Sequence, residues 1–441
     1  QIKKITDEEK FFLYKQMDYL TPAWIKSNRF YSKHFLGQRT FFINQDEVIH
    51  RVLTDAFPLQ YKLEELYRAK LKVHVQIASV TPSIRFSFGE GVGGLGIDKI
   101  FSSLFGFLLP ANWMKITNQK RVYKLSKYMM MITVLNEILD TKIEYIKQHQ
   151  LIHEFEIINF YFIHLQMFAK YFSHESRGLY TLMGKFSVDG TDMATQRGKT
   201  KLGFDRLAKL MALDKLDADP SVAKFNITDI DNFPWEVAEP EKSDLLFNKK
   251  ELFTSEVVKR SIELKAAKEL YKISKLNIGI TAFGSMFSTN EMGSSQDAQF
   301  SFNFGYDSLP KILISNSLKK TAKIDLRKEY INMLDAARRS FDLYTNSLGG
   351  YTEAKRGLCL NRKAFIKNLR HLIETRSEPD SLFVLSLNQL IESELKLNNA
   401  LHGSLIARAH IDRFLLTDED NFLAHLPEQG KIINKFNVKK N

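Results

Sequence analysis

Two glycine-containing stretches are the first candidates for chemistry in this 441-residue chain. Residues 89–94, GEGVGG, match the GxGxxG pattern that lets a backbone approach a dinucleotide pyrophosphate. Such a site needs an acidic residue about 20 positions later, and no Asp or Glu occurs between Asp98 and Glu137. The run 198–200, GKT, ends like a phosphate-binding loop, but Met193 stands where its first glycine belongs. We predict neither site.

Histidines are the second candidates, as metal ligands. Neither His153-Glu154 nor His174-Glu175 completes the HExxH pattern of a zinc enzyme. His149 and His153 are four residues apart and share one face of a predicted helix. A solvated pair on that face is favoured over a pair of metal ligands. The sequence therefore predicts no catalytic residue, no metal and no cofactor, and the chain is not expected to be an enzyme.

The charge pattern favours solvated helix faces over a nucleic-acid site. The formal net charge is +12, yet the basic residues are spread along helical patterns and do not form one compact patch. The densest stretch, Lys319–Arg370, holds 13 Lys and Arg against 5 Asp and Glu. The sequence contains no run of about 18 uncharged apolar residues, so it predicts no membrane-spanning helix. Spanning β-strands need only about ten residues each and are not excluded.

Alternating aromatic residues predict strands with one apolar and one polar side. In 299–306, QFSFNFGY, aromatic side chains occupy every second position, and 276–283 alternates in the same way across a turn-forming segment. Residues 84–88 begin a similar pattern about 195 residues earlier, and each predicted hairpin leads to a Leu-Pro pair, 109–110 and 309–310. The sequence therefore predicts two structurally similar halves.

Long helices are predicted on both sides of these hairpins. Apolar residues recur at steps of three and four over 125–146 and again over 331–348, where Gly349-Gly350 is expected to interrupt the pattern. The predicted segments are an N-terminal segment 1–45; a first repeat 46–213, with a hairpin at about 82–110 and a turn at 184–192; a connecting segment 214–243; a second repeat 244–415, with a hairpin at about 276–308 and a turn at 376–380; and a C-terminal tail 416–441.

This order of elements resembles the TolC family of outer-membrane efflux proteins over about residues 46–415. Residues 55–59, DAFPL, are similar to the segment that begins each half in the family, and 80–84, VTPSI, enter the first strand through a proline in the same way. The periplasmic turns of the family often read Gly-x-x-Ser-x-x-Asp. Gly184 and Ser187 match the first two positions, Gly190 replaces the aspartate, and in the second turn Glu374 replaces the glycine.

The resemblance implies an α+β, mainly α, chain in which long coiled-coil-like helices form a periplasmic α-barrel. Each chain would add four transmembrane strands to a homotrimeric 12-stranded barrel. The implied function is a passive exit duct of an efflux or type I secretion system in the bacterial outer membrane, extending into the periplasm, as a mature chain whose signal peptide is removed. The implied partners are a periplasmic adaptor protein, an inner-membrane transporter and outer-membrane lipid. The alternative is a soluble helical scaffold that binds acidic partners or nucleic acid.

Three sets of residues are predicted to carry this function. The side chains expected to face lipid are Ile84, Phe86, Phe88, Ile278, Ile280, Phe300, Phe302 and Phe304, with Asn277, Thr281, Ser301 and Asn303 facing the lumen. The expected periplasmic tip or gate residues are Gly184, Ser187, Asp189, Asp192, Ser377 and Asp380, and simple helix capping is an equal alternative. The candidates for a positive lumen are Lys319, Lys320, Lys323, Arg327, Arg338 and Arg339, with an outward basic face as the alternative.

Overall fold

The computed structural model describes residues 40–43, 45–80, 110–171, 177–186, 202, 206–207, 209, 224–227, 249–286, 308–375 and 380–415. The two strands of this part are β1 (Thr40–Ile43) and β2 (Lys224–Ile227). Its helices are α1 (Gln45–Asp55), α2 (Phe57–Val80), α3 (Pro110–Tyr171), α4 (Arg177–Phe186), α5 (Lys250–Arg260), α6 (Ile262–Met286), α7 (Ser308–Thr375) and α8 (Ser381–Leu415). The described part of the chain is therefore mainly helical, as the sequence predicts.

The chain divides into two compact units, and α3 and α7 contribute to both. The first unit draws its described residues from Gln1–Ala56, Asn136–Leu252 and Arg338–Arg413. The second unit draws them from Phe57–Leu135, Phe253–Ala337 and Phe414–Asn441.

An aromatic cluster holds three helices of the first unit together. Phe168 of α3, Phe365 of α7 and Phe383 of α8 are buried with ring centroids 5.6–6.5 Å apart. Burying one such side chain contributes on the order of 2–3 kcal/mol. Further along, Gln150 of α3 contacts Asn399 of α8, so partners move towards the C-terminus of α8 as they move towards the N-terminus of α3. The two helices are therefore antiparallel.

A smaller apolar cluster and one buried carboxylate join α3 to α6 in the second unit. Tyr128, Met131 and Leu135 of α3 pack against Ile262 and Ala266 of α6. Towards the other end of α6, Gly279 approaches Met114 so closely that an added Cβ would meet the Met114 methyl at 2.5 Å. A side chain at position 279 would therefore require the Met114 side chain to move.

The strand pair was not predicted. β1 and β2 lie in the first unit and pair in parallel, with Thr40 opposite Lys224 and Ile43 opposite Ile227. Sequence patterns gave 1–45 as mixed helix and loop and 214–243 as a connecting segment. A four-residue strand is too short to show a period, so only pairing with a distant segment reveals it.

The prediction of a strand over 276–283 is wrong, because these residues lie inside helix α6. Asn277 and Thr281 are one helical turn apart, and the Thr281 hydroxyl donates to the Asn277 carbonyl at 2.8 Å. The Asn277 side chain accepts a hydrogen bond from Asn118 of α3, and Thr281 Oγ1 lies 3.1 Å from Ser315 Oγ of α7. Four-residue spacing satisfies the helical period as well as the period of two, so the alternation did not separate the two structures.

Two helix boundaries also differ from the predictions. Gly349 and Gly350 do not interrupt α7, where both are exposed within a helix of 68 residues. Each glycine costs about 1 kcal/mol relative to alanine, which the packing of so long a helix exceeds. The single helix predicted over 46–77 is instead α1 and α2, separated at Ala56. Pro58 explains the separation, since its ring would clash with the carbonyl of a preceding helical turn.

Within the described residues, no helix combines the length and the apolar character needed to cross a membrane.

Asp380 begins helix α8 by capping it. Its Oδ1 accepts a hydrogen bond from the Phe383 backbone N–H at 2.8 Å, which satisfies one of the unpaired donors of the first turn. The sequence pattern had placed the cap at Ser377, which lies outside the described residues. The side chain of Asp380 is exposed, so the cap does not depend on burial.

Removing this cap should destabilise the protein modestly. We expect Asp380→Ala to lower the free energy of unfolding by about 1 kcal/mol. Asp380→Asn should lower it much less, because an amide oxygen can also accept the capping hydrogen bond. Denaturant unfolding followed by circular dichroism measures both. Equal stability of Asp380→Ala and the unmodified protein would contradict the capping role.

Candidate functional site

The residues predicted from the sequence are placed in three different ways. Ile84, Phe86, Phe88, Phe300, Phe302, Phe304, Ser187, Asp189, Asp192 and Ser377 lie outside the described residues. Gly184 lies within α4, not in the predicted turn, and is exposed. Ile278 and Ile280 are half-buried residues of helix α6, so they are not lipid-facing residues of a strand.

The basic candidates lie on one helix, α7. Lys319 is half-buried, and Lys320, Lys323, Arg327, Arg338 and Arg339 are exposed. At 100° per residue, Lys319, Lys320, Lys323 and Arg327 fall within about a third of the helix circumference. These four side chains therefore share a face, which the sequence pattern alone had not established.

A buried histidine cluster lies between α3 and α8 in the first unit. His149 and His153 are 0% and 2% exposed, so the predicted solvated pair is wrong. They meet His402 of α8, which is also 0% exposed. The ring centroids are 4.2 Å apart for His149 and His153, and 5.4 and 5.5 Å apart for the two pairs with His402. One potential ligand nitrogen from each residue lies within 4.8 Å of the other two.

Hydrogen bonds define the orientation of His402. Its Nδ1 lies 2.9 Å from the Asn398 carbonyl oxygen, and a carbonyl only accepts, so Nδ1 carries the proton. Nε2 of His402 therefore presents its lone pair, and it lies 3.1 Å from His149 Nδ1. The Asn398 side chain hydrogen-bonds the His153 ring and donates to the Gln150 carbonyl at 3.2 Å. Asn398 therefore contacts Gln150 and His153 of α3 and orients His402 of α8.

Burial keeps the cluster neutral. It holds the pKa of His149 and of His153 well below the ordinary value, with further lowering by the neighbouring histidines. Burial also lowers the pKa of His402 to about 4, although the bond to the Asn398 carbonyl acts in the opposite direction. At neutral pH all three imidazoles therefore carry an available lone pair.

Glu394 lies two turns before His402 on the same face of α8. Burial raises the pKa of its carboxyl to about 7, although the nearby Tyr161 phenol of α3 and the charge of Arg362 of α7 both lower it. The pKa of the Tyr161 phenol is raised well above its ordinary value, by burial and by Glu394. Glu394, Asn398 and His402 follow one another at four-residue steps and form a continuous polar row on an otherwise apolar seam.

A buried carboxylate of the second unit has a lowered pKa, in contrast to Glu394. The Glu269 side chain of α6 is only 4% exposed, and it binds Arg121 of α3 at 2.9 Å and Lys272 at 2.8 Å. Lys124 lies 3.9 Å away. Burial alone would raise the pKa of Glu269, but the hydrogen bonds from Lys272 and Arg121 outweigh it, and the pKa is lowered. This carboxylate stays ionised and ties α3 to α6.

His402 is the residue that sequence reasoning missed, because it is 253 positions from His149. One local signal was present. Asn398 and His402 are polar residues four apart on a face bordered by Leu397, Leu401 and Leu405. A polar pair on an apolar helix face needs partners on the facing helix, and His149 and His153 have the same spacing.

The pH dependence of stability should report the raised pKa of Glu394. Because the folded state binds this proton more tightly than the unfolded chain does, the contribution is complete below about pH 4.5 and is lost as pH rises through about 7. Glu394→Gln should match the unmodified protein near pH 4.5 and exceed its free energy of unfolding by up to about 3 kcal/mol above pH 7. Thermal unfolding across this range measures the difference.

Glu392→Gln is the matched control, since Glu392 is an exposed residue on the same turn of α8. It should follow the unmodified protein at every pH. A constant stability difference between Glu394→Gln and the unmodified protein from pH 4.5 to 8 would show that the Glu394 carboxyl does not titrate in this window.

No protein-family model matches the sequence, and no curated protein does either. Solved structures do match. The outer-membrane channel MtrE of Neisseria gonorrhoeae in its open state is 10% identical with a TM-score of 0.64, over 84% of this chain and 88% of that chain. The outer-membrane channel CmeC of Campylobacter jejuni is 10% identical with a TM-score of 0.63, over 87% and 90%.

The outer-membrane protein VceC of Vibrio cholerae is 9% identical with a TM-score of 0.62, over 84% of this chain and 95% of that chain. These neighbours are TolC-family channels. The similarity is one of structure, because identities of about a tenth carry no sequence motif. The resemblance predicted from the order of helices and hairpins is confirmed, and the chain has the fold of the TolC family of outer-membrane channels.

Proposed function

We propose that the chain is one subunit of an outer-membrane channel that serves as the passive exit duct of an efflux or type I secretion system. The observation that carries this proposal is the extent of the structural likeness. The match spans 84–87% of this chain and 88–95% of three solved outer-membrane proteins, so nearly all of their architecture has a counterpart.

The proposed assembly is a homotrimer, which the surface of α2 supports. One face of α2 is buried through Leu59, Leu63, Leu66 and Val73. The opposite face carries exposed apolar side chains, among them Phe57 at 64% and Val75 at 68%. Exposed apolar side chains of this size, which lie beside the charged Glu64 and Arg68, favour a second partner that covers them. Neighbouring copies of the same chain are the proposed cover.

The proposed contact with outer-membrane lipid lies in the segments 81–109 and 287–307, outside the described residues. Phe86 and Phe88 in one segment, and Phe300, Phe302 and Phe304 in the other, alternate with small polar residues. Apolar side chains facing lipid and polar side chains facing a water-filled lumen satisfy both solvents. Ile278 and Ile280 are not part of this proposal because they are helical.

The proposed periplasmic end lies near α4 and the start of α8, where a periplasmic adaptor protein and an inner-membrane transporter would dock. Asp189, Asp192 and Asp380 would meet their symmetry copies at this end and repel one another at neutral pH. Capping by Asp380 is compatible with a gate. Its Oδ1 accepts the bond that caps α8, and the side chain is exposed.

The proposed lumen charge comes from the basic face of α7. Lys320, Lys323 and Arg327 are exposed and lie close together on the helix surface. Threefold repetition would concentrate positive potential along the duct and favour anions.

The lipid-facing assignment can be tested with two adjacent residues. Phe302→Arg should strongly reduce assembled trimer in the outer-membrane fraction, because a lipid-facing Arg costs about 2–4 kcal/mol in each chain. Asn303→Arg should be tolerated, since the lumen is wet. Trimer yield on semi-native gels measures both. Equal tolerance of the two substitutions would reject the assignment.

Recordings in planar bilayers test the duct itself. The purified full chain should need detergent to stay dispersed and should form discrete channels that favour anions in a salt gradient. Neutralising Lys320, Lys323 and Arg327 to Gln should shift the reversal potential towards zero, whereas Lys328→Gln, on the other side of α7, should not. Cation selectivity of the unmodified channel would place the basic face outside the lumen. A chain that stays dispersed without detergent and forms no channels would support the soluble scaffold.

The same recordings address the tip. Asp380→Asn keeps an amide cap while removing the charge, and combined with Asp189→Asn and Asp192→Asn it should raise single-channel conductance. Asp325→Asn, a substitution at an exposed residue in the first third of helix α7, is the control. Unchanged conductance and unchanged block by added cations would leave Asp380 with capping alone.

A further inference from the structure

We propose that His149, His153 and His402 form a binding site for a divalent transition-metal ion such as Zn²⁺. Three imidazole nitrogens are a ligand set that this class of ion prefers, and an ion bound by three protein ligands keeps a fourth position for water. The site is independent of the proposed duct function, because all three residues lie within the first unit.

The separations between the rings suit such an ion. Zinc–nitrogen bonds of about 2.0–2.1 Å in a tetrahedron place two ligand nitrogens about 3.3 Å apart. His149 Nδ1 and His402 Nε2 are 3.1 Å apart. One nitrogen of His153 lies within 4.8 Å of a nitrogen of each of the other two rings, so the three side chains converge on one point.

The proton positions also suit a metal ion. His402 donates Nδ1–H to the Asn398 carbonyl and points the Nε2 lone pair at His149, which is the arrangement of most metal-binding histidines. Without an ion, His149 Nδ1–H fills the space between the two rings. Binding moves that proton to Nε2 of His149, so that both facing nitrogens become ligands and neither ring changes its charge.

The surroundings hold the ligands in place. His149 and His153 come from adjacent turns of α3, and two hydrogen bonds at Gln150, to Asn398 and Asn399, join α3 to α8 beside the cluster. The bond between Gln150 and Asn399 is exposed, so a contact with water lies one residue from His149.

Metal titration of the full chain tests this site. The tag-free protein, in detergent and freed of metal by a chelator, should bind one Zn²⁺ per chain when titrated with ZnCl₂. His153→Gln and His402→Gln should each weaken binding at least tenfold. His410→Gln is the matched control, because His410 lies on α8 two turns beyond His402 and outside the cluster. Binding by the two cluster variants at the affinity of the unmodified protein would overturn the proposal.

A second measurement decides the case if a variant fails to fold. CoCl₂ added to the unmodified protein should give the intense visible bands of tetrahedral Co²⁺ with nitrogen ligands, and added ZnCl₂ should bleach them. His402→Cys keeps a ligand at this position and should add a thiolate charge-transfer band. Only the weak spectrum of hydrated Co²⁺ in the folded unmodified protein would show that the three histidines are a structural hydrogen-bonded cluster.

Discussion

Apolar packing between antiparallel helices is the constraint on which the first unit depends. The buried rings of Phe168, Phe365 and Phe383 set the register of α3, α7 and α8 against one another. Glu394 and His402 lie three and five turns beyond Phe383 on α8, and they meet their partners only in that register. A slip of one residue would rotate the polar row by about 100° and leave it buried against leucines.

The polar groups buried between these helices show how surroundings decide charge. Glu269 is the more buried carboxylate by exposure, yet three nearby cations keep it ionised. Glu394 lies near the positive charge of Arg362, but burial outweighs it and raises the pKa to about 7. Burial lowers the pKa of all three histidines of the cluster, which stays neutral. Desolvation acts on all of these groups, and the number of opposite charges determines the outcome.

The outer surfaces of the same helices point to assembly, while their inner surfaces hold the chain together. α2 has exposed apolar side chains opposite its buried face, and α7 combines a buried seam with exposed apolar side chains such as Leu313 and Ile324. A duct subunit needs this division, since it packs against its own chain and against neighbours and still presents polar groups to water. The proposed metal site requires only the inner packing, so each proposal stands or falls separately.

The existence of the long helices was predicted from the sequence alone, because the period of apolar residues is a local property. The long helices that begin at Pro110 and Ser308 were predicted in this way. The resemblance to outer-membrane channels was predicted from the order of the helices and hairpins along the chain. Only the tertiary structure decided that 276–283 is helical, since Asn277 and Thr281 satisfy both periods until Asn118 and Ser315 are placed beside them. The histidine cluster was hidden for the same reason. Its two halves are 253 residues apart, and no local pattern specifies which helix faces which.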